Sequence, residues 1–149
     1  MAFRNCKLTC AIVLPVGKKG CVVQEPVTRL CPGDRVQLDV DRIHKIYTDL
    51  GPTRAEDVIC RAIEEMALRL FRSDGLWTTR DTERLGTCLR ALIAIADQVG
   101  MLSITQVARD VQIALSRKDE PAIAATLARL RRVGESSMTN IWDIGNLSG

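Results

Sequence analysis

TRDTERLGTCLRALIAIADQVG, residues 79–100, places Leu85, Cys88, Leu89, Leu92, Ile95, Ala96 and Val99 at intervals of three and four. That spacing puts all seven on one face of an α-helix and leaves Glu83, Thr87, Arg90, Ala94 and Asp97 on the other. A helix with one apolar stripe needs neighbours to cover it. The following segments supply two with the same periodicity. Ser103, with Gln106 in capping-box spacing, opens a helix carrying Ile104, Val107, Ala108, Val111, Ala114 and Leu115, expected to close near Arg117. Asp119 is the next cap, Glu120 and Pro121 form a first turn, and Ile123, Leu127, Leu130, Val133 and Gly134 carry the last long stripe. Short connections make these helices antiparallel neighbours.

Working back from residue 79, Thr53 with Glu56 reads as another capping box. It opens a helix whose stripe is Ile59, Ala62, Ile63, Met66 and Leu70, expected to stop near Ser73-Asp74-Gly75, with Leu76 and Trp77 folded over the end of a bundle. A shorter amphipathic helix precedes it, beginning at Asp39 or Asp41, carrying Ile43, Ile46, Tyr47 and Leu50, and closing before Gly51-Pro52. Residues 8–40 read as extended or irregular. LTCAIVLPV and GCVVQ flank a Gly-Lys-Lys-Gly turn, and VQLDV alternates from Val36 to Val40. The fold class is therefore all-α: an antiparallel helical bundle with a four-helix core over residues 41–149, preceded by an N-terminal arm over residues 1–40 that is irregular or a short β-ribbon. Within the tail, Glu135–Gly149, a further turn of helix is expected to dock Met138, Ile141 and Trp142.

Composition narrows the function classes. The chain has 149 residues, 46% of them hydrophobic, enough for one domain with a genuine core. A net charge of +3 is too small to imply a nucleic-acid partner, and the scarcity of aromatics (3%) removes the stacking surface single-stranded nucleic acid uses. The basicity sits in residues 1–50, with eight Lys and Arg against five Asp and Glu, while residues 51–149 carry thirteen of each. No apolar run approaches the roughly 20 residues of a membrane span. MAFRNCK followed by a short apolar strip resembles a targeting segment, but no small-x-small cleavage site follows it, and a cytoplasmic location is expected.

The six cysteines stand at 6, 10, 21, 31, 60 and 88. The first four lack the tight Cys-x-x-Cys pairs that pre-form half a zinc site, so no metal is expected. Cys60 and Cys88 read as small buried thiols on helical faces. Arg129, Arg131 and Arg132 favour the C-terminal end of a helix dipole. Glu64 and Glu65 are adjacent and do not share a face as an i,i+4 pair would. No phosphate-cradling Gly-rich loop occurs and no catalytic residue or cofactor is expected. The outward face of the central helix is more informative. Thr87 and Ala94 lie a turn to either side of Arg90, Ala91 is adjacent, Ile93 sits partway toward the core, and Asp97 ends the row. Arg90 thus rises from low ground, where a partner can approach closely and meet a directional cation.

Residues 88–133, CLRALIAIADQVGMLSITQVARDVQIALSRKDEPAIAATLARLRRV, resemble the histidine-containing phosphotransfer domains of bacterial two-component phosphorelays. That family's signature helix reads alanine-histidine-x-leucine-lysine-glycine-serine-alanine and steps into the next helix through Leu-Gly or similar. Matching Val99-Gly100 to this step puts Leu92 on the motif leucine and Ala96 near its small residues. The acceptor histidine then falls on Arg90, the lysine on Ile93 and the glycine on Ala94. A guanidinium stays protonated and has no lone pair to attack phosphorus, so the resemblance implies a scaffold that kept its shape and lost its chemistry. It implies signalling by protein binding: a receiver domain of a response regulator, or a related signalling partner, contacting Thr87, Arg90, Ala91, Ile93, Ala94 and Asp97. Two alternatives stay open from the residues alone. One is an active phosphotransfer protein using the lone histidine, His44, in DRIHKIYTDL; the other is a structural or nucleic-acid-associated helical protein.

Overall fold

In a computed structural model of the chain, residues 36–145 are described, with side chains through residue 141. Among these residues there are five helices and no strand: α1 (Val40–Leu50), α2 (Pro52–Thr78), α3 (Thr82–Gln98), α4 (Leu102–Arg117) and α5 (Glu120–Gly145). The sequence expectations for the β-ribbon before residue 36, for Cys6, Cys10, Cys21 and Cys31, and for the side chain of Trp142 lie outside the described residues; of the alternating stretch Val36 to Val40, residues 36–39 form no strand and Val40 opens α1. The helices pack in chain order, α2 on α3, α3 on α4 and α4 on α5; α5 also meets α2, and α1 lies on α2. The connections after α2, α3 and α4 span only residues 79–81, 99–101 and 118–119. Links this short between packed helices force each to run antiparallel to the last.

The core follows from the stripes. Leu85, Leu89, Leu92 and Ala96 of α3 are fully buried, Cys88 and Val99 nearly so, and they meet Ile59, Met66 and Leu70 of α2 and Ile104, Val107, Ala108 and Val111 of α4 in one apolar cluster. Ile123, Leu127, Leu130, Val133 and Ile141 complete it from α5. Burying a side chain of this size is worth roughly 1.5–3 kcal/mol, so the stripes, rather than the helix ends, hold the fold together.

The ends differ from the sequence expectations in instructive ways. Pro52 occupies the first turn of α2, and no side chain caps it, so the Thr53–Glu56 capping box does not form. Proline supplies the helical φ and lacks only an amide that would be unpaired there. At the other end, α2 runs through Ser73-Asp74-Gly75 to Thr78. Ser73 is buried and donates its hydroxyl to the Arg69 carbonyl at 2.8 Å, while Leu76 and Trp77 pack against the core as part of the helix. Their burial offsets the roughly 1 kcal/mol that a mid-helix glycine costs. The turn comes instead at Arg80, a left-handed residue with φ 59°. Its guanidinium stacks over the Trp77 ring, 4.5 Å from the centroid, and reaches Glu120 at 3.0 Å. One side chain thus ties the α2–α3 turn to the start of α5.

The Ser103–Gln106 box does not form either. The first helical residue of α4 is Leu102, and the Ser103 hydroxyl accepts from the Gln37 backbone N–H at 2.7 Å. Asp39 N–H donates to the Gly100 carbonyl at 2.8 Å, so residues 37–39 are laced to the α3–α4 turn before α1 begins. Aspartates cap the other helices. Asp39 accepts from Arg42 N–H, Asp81 from Arg84 N–H and Asp119 from Ala122 N–H, each at 3.0 Å. Beyond Val133 the chain does not break into a separate turn. α5 continues to Gly145, and Gly134 faces the Leu70 methyls where α5 meets α2.

Candidate functional site

Helix α3 lies between α2 and α4 and exposes Glu83, Thr87, Arg90, Ala94 and Asp97 along its outer side. The Arg90 side chain bends back one turn toward the helix N-terminus, as long side chains in helices do. One terminal nitrogen donates to Thr87 Oγ1 at 2.9 Å, and the Thr87 hydroxyl donates in turn to the Glu83 carbonyl at 3.2 Å. The other terminal nitrogen passes over Gly86, 3.9 Å from where a β-carbon there would stand. Arg90 forms no ion pair among the described residues.

Two shallow grooves flank this row. Toward α4, a depression of about 420 Å³ is bounded by Gly86 and Arg90 on one wall and by Gln112, Leu115 and Ser116 on the other. Toward α2, a wider groove of about 850 Å³ runs between Arg69, Arg72 and Leu76 and the facing Glu83, Arg84 and Thr87. Beneath it Cys88 is buried, 3.7 Å from Ser73 Oγ and 3.5 Å from the Arg69 carbonyl, a closed thiol. The second groove mixes three guanidiniums with carboxylates. Arg69 pairs with Glu65 at 2.6 Å and Arg84 with Asp81 at 3.5 Å, so its field is largely self-compensated.

The six residues singled out from sequence are therefore not one uniform patch. Thr87 and Arg90 are joined directly and Ala94 is exposed beside them. Ala91 is half-buried, and Ile93 is half-buried and packs against the core, so it borders the face without standing on it. Asp97 is held by α1: Arg42 Nη1 donates to its backbone carbonyl and lies 3.6 Å from its carboxylate, while Arg42 also sits 3.6 Å from Asp39. Sequence reasoning missed Gly86, Gln112, Ser116 and Arg42. The first was within reach, because a helical arginine covers the turn before it, so the residues under Arg90 are Gly86 and Thr87 rather than Ala94.

The other candidates distribute elsewhere. His44 is exposed on α1, and its backbone carbonyl accepts from Thr48 Oγ1 at 2.9 Å. Cys60 is exposed, against the expectation of a buried thiol, because it sits about 100° around α2 from buried Ile59. Of the arginine cluster, Arg129 lies 3.6 Å from Asp110 and Arg131 3.9 Å from Asp74, which divides it between neighbouring helices instead of making one basic surface. Tyr47 is half-buried on α1. Loss of solvent, reinforced by the nearby Glu56 and Cys60, pushes its phenol above its ordinary value of 10.0. Among the described residues no group of three or more His, Cys, Asp or Glu is placed to hold a metal ion, and no helix is long and apolar enough to cross a membrane. No family model, no curated protein and no solved structure matches the chain.

Proposed function

We propose that this chain is a catalytically silent, phosphotransfer-like signalling domain of the cytoplasm, with α2 to α5 as its four-helix core. Its α3 face binds the receiver domain of a response regulator or a related signalling partner. Arg90 carries the reading. It stands where the resemblance puts a phosphoacceptor, yet it is a permanent cation with no nucleophilic nitrogen. It lies on a low surface beside Gly86 and Ala94, and among the described residues its five N–H groups make one hydrogen bond, to Thr87. A receiver surrounds its phosphorylation site with carboxylates, and a guanidinium matches a carboxylate in charge and in planar geometry. Recognition without transfer is the function that such a substitution leaves.

The test is an amide-resolved NMR titration of the chain with a panel of receiver domains, paired with Arg90→Glu. Saturable shift changes should cluster on Thr87, Arg90 and Ala94. Reversing the charge at the centre of the contact should weaken binding by about tenfold or more, equivalent to about 1.4 kcal/mol. Because Arg90 is exposed, the variant should melt within about 0.5 kcal/mol of the parent. Equal affinity of parent and variant for a receiver that binds would remove Arg90 from the contact. A folded chain that meets no receiver in the panel would remove the class of partner.

A further inference from the structure

Gly86 stands inside the second turn of α3, where glycine is the poorest helix former after proline because its backbone loses the most freedom on ordering. The fold gives no reason for it. Its φ is not left-handed, and an added β-carbon would meet only Arg90 Nη1, at 3.9 Å, an ordinary contact. Gly100 and Gly134 differ, since a β-carbon there would press on Asp39 and on Leu70. Gly75 is uncrowded too, but it stands near the end of α2 and borders neither groove of the α3 face. Gly86 instead forms the floor of the depression between α3 and α4. Two donors overlook that floor. Arg90 Nη1 passes above it, while Nη2 is taken by Thr87. On the facing wall Gln112 is half-buried, and its carboxamide has no hydrogen bond among the described residues. Ser116, beside it, already donates to the Ile113 carbonyl at 2.8 Å.

We propose that the partner seats one carboxylate side chain, an aspartate or a glutamate, in this depression over Gly86, where it accepts from Arg90 and from the Gln112 amide. The proposal rests on the receiver-binding reading of the α3 face and names the contact at its centre. Without a β-carbon at residue 86 the partner's backbone comes close enough for a short acidic side chain to reach both donors. A guanidinium supplies the charge-assisted bond, and the amide, which has no charge, adds direction. Glu83 closes the α3 end of the depression and has no ion pair among the described residues. One cation facing one carboxylate in the empty depression admits a monoanion and disfavours a dianion such as a phosphoryl group. The depression is too shallow to enclose a free small molecule, so its occupant arrives on a protein surface.

The test pairs calorimetric titration of the full chain and its variants, against the receivers of the panel, with thermal melting of each variant. Gly86→Ala should move the two readouts in opposite senses. It should raise the melting temperature by about 2–5 °C, as removal of a mid-helix glycine does, and weaken receiver binding by about tenfold, because a methyl group fills the floor. Gln112→Ala should weaken binding by about threefold or more with helicity unchanged, through loss of one hydrogen bond. Glu83→Gln should tighten it by about twofold, since it removes a like charge beside the bound carboxylate. A Gly86→Ala variant that melts below the parent, or binds as tightly, overturns the proposal, and so does a Gln112→Ala variant of parental affinity. If Arg90→Glu still weakens binding in those cases, the receiver reading stands without this contact. A folded parent that meets no receiver overturns both.

Discussion

Tyr47 is where the surroundings of one side chain translate most directly into a measurement. It is the chain's only tyrosine, so an ultraviolet titration of the folded protein reads it alone. Desolvation, with Glu56 and Cys60 nearby, favours the neutral phenol, and the folded-state midpoint should lie above 10.0. A group raised on folding contributes stability that is fully present below its unfolded value and lost as pH climbs through the folded one. Stability should therefore fall through this residue only above about pH 10, and Tyr47→Phe should flatten that alkaline decline. A phenol titrating at or below its ordinary value would contradict the assignment. Single residues were unevenly legible in the sequence. Leu92 and Arg90 were readable as buried and exposed, because helical period alone sorts them. The lean of Arg90 toward Thr87 and the clasp of Arg42 on Asp97 were not, since the first depends on rotamer direction and the second on a contact 55 residues away along the chain.

Elements were more legible in their middles than at their ends. Period and apolar spacing fix the middle of a helix, and α3, α4 and the inward stripe of α5 follow from them. An end depends on what else reaches it. Asp119 could be read as a cap because it serves its own helix three residues on. Ser103 could not be read correctly, because Gln37, far away in sequence, takes its hydroxyl. The same convergence constrains Gly100, whose φ is 77° and where an added β-carbon would stand 3.0 Å from both the β-carbon and the carbonyl oxygen of Asp39. Gly100→Ala should therefore destabilise the protein by about 1–3 kcal/mol, from left-handed strain together with the displacement of Asp39. A chemical-denaturation midpoint unchanged from the parent would mean that residues 37–39 do not press on this turn in solution. The extension of α2 past Gly75 is the complementary lesson. Ser-Asp-Gly reads locally as a stop, and burial of Leu76 and Trp77 overrides it.

Across the whole molecule, cohesion is unequal. α3 and α4 each have helices packed on both sides, whereas α1 rests chiefly on α2 and contributes one fully buried side chain, Ile43. Its ion pairs, Arg42 with Asp97 and Lys45 with Asp49, are half-exposed and worth at most about 1 kcal/mol each. Native-state hydrogen exchange should show α1 amides opening well below the global unfolding free energy, and those of α3 and α4 at it. Equal protection of α1 and α3 would mean that the short helix belongs to the cooperative core. The all-helical class was legible because four apolar stripes of the right length cannot be covered otherwise. The size of α1's attachment was not, since it depends on which turn the chain before it meets. The clip at the opposite end has a further consequence. Arg80 touches the indole of Trp77 and the carboxylate of Glu120 at once. The emission of that indole is therefore sensitive to a joint between two turns distant in sequence, and the protein carries an intrinsic optical gauge of whether that end is latched.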